Sequence, residues 1–163
     1  MSTDVAVIPP RALPPEGGER IWITGDTLRI LATAADTDGR STLIEVQSPP
    51  GGGPPPHLHE HEDEHFYVLD GEFELLIGRD LVRALPGNYA FVPRGTVHRF
   101  RSAGPGVSRM LIAFTPGGLE DFFREAGTPA AGDGPPPPVD EAEIARTGVA
   151  AARHGLRVVT WDE

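Results

Sequence analysis

Short segments of alternating apolar and polar residues, separated by turn-forming residues, make up most of the middle of this chain. Alternation with a period of two is typical of half-buried β-strands, and the glycine, proline and aspartate between the segments mark turns. The pattern predicts strands over residues 27–33, 42–47, 65–69, 72–78, 81–85, 89–92, 97–101 and 107–115. Roughly eight strands within about ninety residues indicate an all-β barrel or sandwich.

One pair of neighbouring segments also carries a hairpin signal. Asp70-Gly71 stands between residues 65–69 and 72–78, and this dipeptide favours the type I′ turn of a two-residue hairpin. We therefore predict that these two strands pair with each other.

The length of 163 residues fits one domain with appendages. Proline-rich residues 1–20 predict an extended N-terminal segment, and residues 21–116 contain the strands of the barrel. Residues 117–163 form a C-terminal extension with two short helices, a proline-rich linker between them and a final strand.

In this extension the apolar residues recur with the period of a helix instead of the period of two that is typical of strands. The first helix is predicted from an apolar stripe that would pack on the barrel mouth or sheet, formed by Leu119, Phe122, Phe123 and Ala126. Asp140 is the predicted N-cap of the second helix, and residues 156–160 are the predicted final strand.

The composition removes several kinds of chemistry. The chain has no cysteine, and all 14 of its basic residues are arginine. Disulfides, thiolate nucleophiles, lysine Schiff bases and a phosphate-binding P-loop lysine are thereby excluded. Catalysis would depend on histidine, carboxylates, hydroxyls, arginine or a metal ion.

The charge argues against a nucleic-acid partner, and the distribution of apolar residues argues against a membrane span. The net charge is −10 and no segment concentrates arginine, so a phosphate backbone would be repelled and we expect no nucleic-acid partner. The first twenty residues lack the pattern of an export signal, and the longest apolar run spans only residues 110–114. We expect a cytoplasmic protein that does not cross a membrane.

Four of the six histidines lie within nine residues. His57 and His59 are two residues apart, so on a strand both imidazoles project from the same face. Glu64 is far enough along the chain to reach them from the next strand, and His98 begins another predicted strand. Three imidazoles and one carboxylate suit a single divalent transition-metal ion, namely Fe, Mn, Ni, Co, Cu or Zn. Four protein ligands leave coordination positions open for small molecules, as in catalytic sites.

Two spacing patterns resemble the paired motifs of the cupin superfamily. They are G-x5-H-x-H-x4-E-x6-G over residues 51–71 and G-x5-P-x-G-x2-H over residues 87–98. Ser102 stands where the second motif usually has Asn. Together with the flanking sequences, the motifs look like small single-domain cupins related to quercetin dioxygenase. The resemblance implies a double-stranded β-helix (jelly-roll) barrel, homodimerisation through barrel strands, and metal ligation by residues matching His57, His59, Glu64 and His98.

The resemblance also suggests a reaction. It implies a dioxygenase that oxidises a small enol or phenolic molecule similar to a flavonol. Glu64 would be a metal ligand, either with a second role as the base for a substrate hydroxyl or as a structural ligand alone. Cupins also include isomerases, epimerases and cyclases that consume no O₂, and members that only bind a ligand, so these alternatives stay open.

Strand parity identifies further candidates. Phe66 shares the parity of Glu64, and Phe100 shares that of His98, so both rings are predicted to point into the barrel as core packing or as walls of a substrate pocket. His61 is interpreted as part of a solvated acidic turn, with a place near the site or a role as a substitute ligand as the alternative, because it shares the parity of the ligands. His65 and the acidic residues beside it are interpreted as a solvated turn, and His154 as a favourable cation at a helix C-terminus.

Overall fold

The computed structural model describes residues 8–160, which contain twelve strands and three helices. The strands are β1 (Glu19–Ile23), β2 (Asp26–Ala32), β3 (Thr42–Ser48), β4 (His57–His59), β5 (Asp63–Asp70), β6 (Phe73–Ile77), β7 (Asp80–Ala84), β8 (Tyr89–Val92), β9 (His98–Ser102), β10 (Ser108–Thr115), β11 (Thr128–Pro129) and β12 (Leu156–Val158). The helices are α1 (Ala34–Thr37), α2 (Glu120–Ala126) and α3 (Glu141–Arg153).

The strands form two antiparallel sheets. The larger sheet has the order β11-β1-β2-β3-β10-β5-β8, and the smaller has the order β12-β4-β9-β6-β7. Apolar side chains of the two sheets meet in one core, where the ring of Phe66 on β5 lies 6.5 Å from that of Phe100 on β9. The prediction of an all-β barrel is confirmed: burial alternates along β5 and β10 of the larger sheet and along β6 and β9 of the smaller, so each sheet has one apolar face.

The predicted hairpin at Asp70-Gly71 is wrong. Strand β5 pairs with β10 and β8, whereas β6 pairs with β7 and β9. The turn carries the chain from one sheet to the other. Gly71 has a φ of 74°, and a Cβ at this position would lie 2.4 Å from Oγ of Ser108, so the crossing needs a glycine there.

One helix lies between barrel strands and two follow them: α1 connects β2 to β3, and α2 and α3 come after β10. Helix α1 replaces the turn expected between β2 and β3. The two predicted C-terminal helices are present as α2 and α3, and the carboxylate of Asp140 accepts a hydrogen bond from the Glu143 N–H at 2.8 Å. Within the described part of the chain, no helix is long and apolar enough to cross a membrane.

The C-terminal extension also adds strands to both sheets. Strand β11 pairs with β1, and β12 pairs with β4 along its whole length. The division of the chain at residues 20 and 116 stays a prediction. Residues 1–7 of the predicted N-terminal segment lie outside the described residues.

Candidate metal centre

Four side chains from three strands converge between the sheets. His57 and His59 come from β4, Glu64 from β5 and His98 from β9, and one potential ligand atom of each lies within 4.8 Å of the others. Pairing of β4 with β9 sets His57 directly opposite His98. The structure thus brings together the four residues that the sequence predicts as ligands, although they span more than forty positions.

Backbone carbonyls orient two of the imidazoles. Nδ1 of His57 lies 2.8 Å from the Pro55 carbonyl oxygen, and Nδ1 of His98 lies 2.9 Å from that of Thr96. A carbonyl only accepts hydrogen bonds, so each Nδ1 carries the proton and donates it. Each Nε2 then presents its lone pair to the centre of the group, which is the tautomer that metal ligation requires.

The inward-facing atoms are buried without hydrogen bonds. Among residues 8–160, Nε2 of His59, Nε2 of His98 and Oε2 of Glu64 find no hydrogen-bond partner. Glu64 Oε2 lies 3.3 Å from His59 Nε2 and contacts His98 Nε2. Buried polar atoms left unpaired are destabilising. A divalent first-row ion would satisfy all three atoms, so the residues present fit the ion that the sequence predicts.

Charge couples the members of this group. Burial, reinforced by the nearby His98, lowers the pKa of His57 to about 4, so this imidazole is neutral at pH 7. Burial raises the pKa of Glu64, but His59 and His98 outweigh it and bring the value to about 2. Burial lowers the pKa of His98, yet the Glu64 carboxylate raises it above its ordinary value. Glu64 therefore favours a positive charge at its side, and a metal cation can take the place of the His98 proton.

Sequence reasoning missed one residue beside the group. Glu62 is 8% exposed, and its Oε2 lies 3.4 Å from Nδ1 of His59. A carboxylate behind a ligating imidazole orients the ring and raises its basicity. The interpretation of the neighbouring acidic residues as a solvated turn is therefore wrong for Glu62. The signal was the parity of the chain, because residue 62 lies two positions before Glu64.

The other histidines lie outside the group. His61 is exposed on the loop before β5. Nδ1 of His65 lies 2.8 Å from the Tyr89 hydroxyl on the outer face of the larger sheet. Nε2 of His154, at the end of α3, lies 2.9 Å from a Glu125 carboxylate oxygen.

A cavity of about 120 Å³ adjoins the four-residue group. The rings of Phe100 and Phe114 form part of its wall, and Phe122, Phe123 and Ala151 line it from α2 and α3. Phe66 stands behind this wall, with its ring 6.0 Å from that of His98. The cavity is thus mainly apolar, with the imidazoles and the Glu64 carboxylate at one part of its surface.

Comparison with known proteins identifies relatives of this chain. Residues 44–114 match the family described as "Cupin domain". The chain is 34% identical over 116 residues to quercetin 2,3-dioxygenase from Bacillus subtilis, covering 71% of this chain and 34% of the relative. It is 33% identical over 117 residues to quercetin 2,3-dioxygenase from Aspergillus japonicus, covering 66% of this chain and 33% of the relative. The chain therefore spans about a third of the length of these curated relatives.

A solved structure provides a third comparison. The polyketide cyclase RemF from Streptomyces resistomycificus superimposes with a TM-score of 0.51 and 28% sequence identity, covering 64% of this chain and 72% of the cyclase. Proteins with different reactions thus share the barrel and similar sequences.

Proposed function

Because this chain is a cupin that resembles the quercetin dioxygenases, we propose that it is a metal-dependent oxygenase acting on a small enol or phenolic, flavonol-like molecule. The observation that carries the proposal is the buried group of three imidazoles and one carboxylate beside an apolar cavity. Similarity to two quercetin 2,3-dioxygenases at 33% and 34% identity supports it.

The ligands are His57, His59, Glu64 and His98. A bound divalent ion would supply Lewis-acid and redox chemistry beside the substrate. The identity of the ion follows from the cell as much as from the site, since three imidazoles and one carboxylate accept several metals. Glu62, whose Oε2 lies 3.4 Å from Nδ1 of His59, would help to orient the His59 ring when the ion is bound.

Glu64 has a second proposed role. Its carboxylate is ionised at neutral pH and can accept the proton of a substrate hydroxyl held against it. The pKa of about 2 makes it a weak base and a good ligand, so ligation is its principal role and proton transfer the subsidiary one.

The cavity selects and protects the substrate. The rings of Phe100, Phe114 and Phe123 offer flat apolar surface to a planar molecule. Helices α2 and α3 line one side of the cavity and would limit the access of water to the reacting atoms. Oriented binding beside the four-residue group replaces a chance encounter of the reactants.

Oxygen uptake tests this proposal. Protein loaded separately with Fe, Mn, Co, Ni, Cu or Zn is mixed with quercetin in air, and dissolved O₂ is followed with an electrode. We expect uptake with at least one metal and a loss of at least about 100-fold in the double variant His57→Ala, His98→Ala. No uptake beyond that of free metal with any of the six ions would refute the oxygenase assignment.

A cyclase or isomerase is the second candidate. The 28% identity to the polyketide cyclase RemF favours it, because a carbonyl polarised by a metal can react without O₂. Substrate conversion under nitrogen would separate this reaction from oxygenation.

The proposed form of the protein is a cytoplasmic homodimer. The homodimer is supported by an exposed aromatic face on β5 and β8, where Tyr67, Tyr89 and Phe91 are 46%, 60% and 47% exposed. Apolar side chains grouped on one face of a sheet are typical of an interface.

A further inference from the structure

Asp26 has a buried carboxyl group in the cavity wall, outside the four-residue group. It begins β2, is 2% exposed and lines the cavity together with the apolar Leu28. It belongs to neither the four-residue group nor the carboxylates that orient it. The cavity therefore has a second acidic group on its surface.

The surroundings of Asp26 do not satisfy it. Within residues 8–160, neither Oδ1 of Asp26 nor Oγ of the nearby Ser48 has a hydrogen-bond partner by distance and angle. The loop before β4 packs tightly on this side, since a Cβ on Gly52 would lie 2.8 Å from Asp26 Oδ1. Burial raises the pKa of Asp26 to about 7, and Ser48 opposes this rise only in part.

A buried carboxyl without a hydrogen bond destabilises the folded protein at this position of the cavity wall. Leu28, Val46 and Ile112 line the same cavity, and an apolar side chain at residue 26 would pack among them without an unsatisfied polar atom. Although Oδ1 lies against the loop of Gly52, Asp26 also lines the cavity, so a polar group that enters the cavity would give the carboxyl a hydrogen-bond partner there. In protonated form a carboxyl can both donate and accept, so a hydroxyl group suits it in either direction.

We propose that Asp26 anchors a hydroxyl group of the organic molecule that binds in the cavity, and so selects hydroxylated rings over their apolar analogues. The inference rests on the proposed function only in requiring that the cavity takes an organic molecule beside the metal group. It assigns to that molecule a hydroxyl separate from the atoms that approach the metal. Asp26 would then determine specificity, while the four-residue group carries the chemistry.

Thr147 is the competing anchor. Its Oγ1 is also buried without a hydrogen-bond partner in the described part of the chain, and it lines the cavity from α3. Asp26 is favoured because it is more deeply buried and because a carboxyl makes stronger hydrogen bonds than a hydroxyl. The two assignments are separated by substituting each residue with an apolar one of similar shape.

The test compares two bicyclic probes that differ only in a polar group. Binding of 2-naphthol and of 2-methylnaphthalene to the metal-loaded protein is measured by titration calorimetry under nitrogen. We expect the parent protein to prefer the naphthol by about tenfold, and Asp26→Leu to remove this preference. Asp26→Asn should retain most of it, because the amide still forms hydrogen bonds.

Control variants locate the effect. Leu28→Val, on the same face of β2, perturbs packing but should keep the preference. If the preference persists in Asp26→Leu, is absent from the parent protein, or is lost in Thr147→Val instead, the assignment of Asp26 is overturned. Failure of the oxygenase proposal would appear separately, as absence of O₂ uptake, while the naphthol comparison still decides the role of Asp26.

Discussion

The histidines and the carboxylate of the four-residue group depend on one another. The pKa of His98 is raised by Glu64, and the pKa of Glu64 is held low by His59 and His98 despite burial. Loss of a single imidazole leaves the carboxylate buried with less compensation, so the group acts as one unit rather than as four additive ligands.

Removal of two imidazoles should abolish metal binding. In the double variant His57→Ala, His98→Ala, the metal content measured by elemental analysis should fall from near one ion per chain to about a tenth or less. His65→Ala serves as the control, because His65 lies on the outer face and should leave the content unchanged. Near-stoichiometric metal in the double variant would contradict the ligand assignment.

Asp26 should make stability depend on pH. Its pKa rises from 3.8 in the unfolded chain to about 7 in the folded protein, so ionisation favours unfolding. The destabilisation is absent below the unfolded pKa, grows as the pH rises between the two values and is complete above the folded pKa. Relative to the parent protein, Asp26→Asn should therefore gain stability from about pH 4 to about pH 8, by as much as about 4 kcal/mol.

Urea unfolding at several pH values measures this difference. Asp121→Asn is the matched control, since Asp121 is exposed on α2 and should give a small offset. A stability difference between Asp26→Asn and the parent protein that does not change with pH would show that the Asp26 carboxyl keeps an ordinary pKa.

At the level of helices and strands, local pattern predicted the elements better than their partners. The alternation of residues 107–115 and the stripe containing Phe122 and Phe123 correspond to β10 and α2. The Asp70-Gly71 dipeptide correctly indicated a turn. It did not indicate which strand pairs with β5, because the pairing of β5 with β10 is decided by burial of a shared apolar face.

The four-residue group was also predictable from local pattern. Parity fixes the face of each side chain, and the spacing resembled a known motif, whereas Asp26 carries no motif. Its significance appears only when the cavity, the burial and the missing hydrogen bonds of the folded chain are seen together.

Glu120 fixes α2 on the barrel. Its buried carboxylate accepts hydrogen bonds from the Ala34 N–H at 2.8 Å, the Gly118 N–H at 3.1 Å and the Thr42 hydroxyl. Glu120→Gln replaces an acceptor by a donor at this point and should destabilise the protein by about 1–3 kcal/mol in chemical denaturation. Asp121→Asn, next to it on α2, should change stability by less than about 1 kcal/mol. Equal effects of the two substitutions would contradict this role.

The whole molecule has two different surfaces on its larger sheet. The inner surface faces the core and the cavity, and the outer surface of β5 and β8 exposes aromatic rings. Strand β8 is also the edge of this sheet, with backbone groups open on one side. Association through this face would cover both the rings and the edge.

Charge placed on this face should therefore separate the proposed homodimer. We expect the parent protein to have the mass of two chains by light scattering, and Phe91→Glu to have the mass of one. Ile144→Glu places the same charge at a more exposed apolar position on α3, where it should leave the dimer intact. A monomeric parent protein, or dissociation by Ile144→Glu, would argue against the β5 and β8 face.

The pairing of β12 with β4 relates the order of synthesis to the order of assembly. His57 lies opposite Val158, and His59 lies opposite Leu156. The ribosome makes the two histidines about a hundred residues before the strand that completes their backbone pairing. The histidine strand thus obtains this neighbour about a hundred residues after it is made, and the four-residue group is fully framed only once β12 has been synthesised. An ion that arrived before β12 is made would therefore meet a histidine strand paired on one side only.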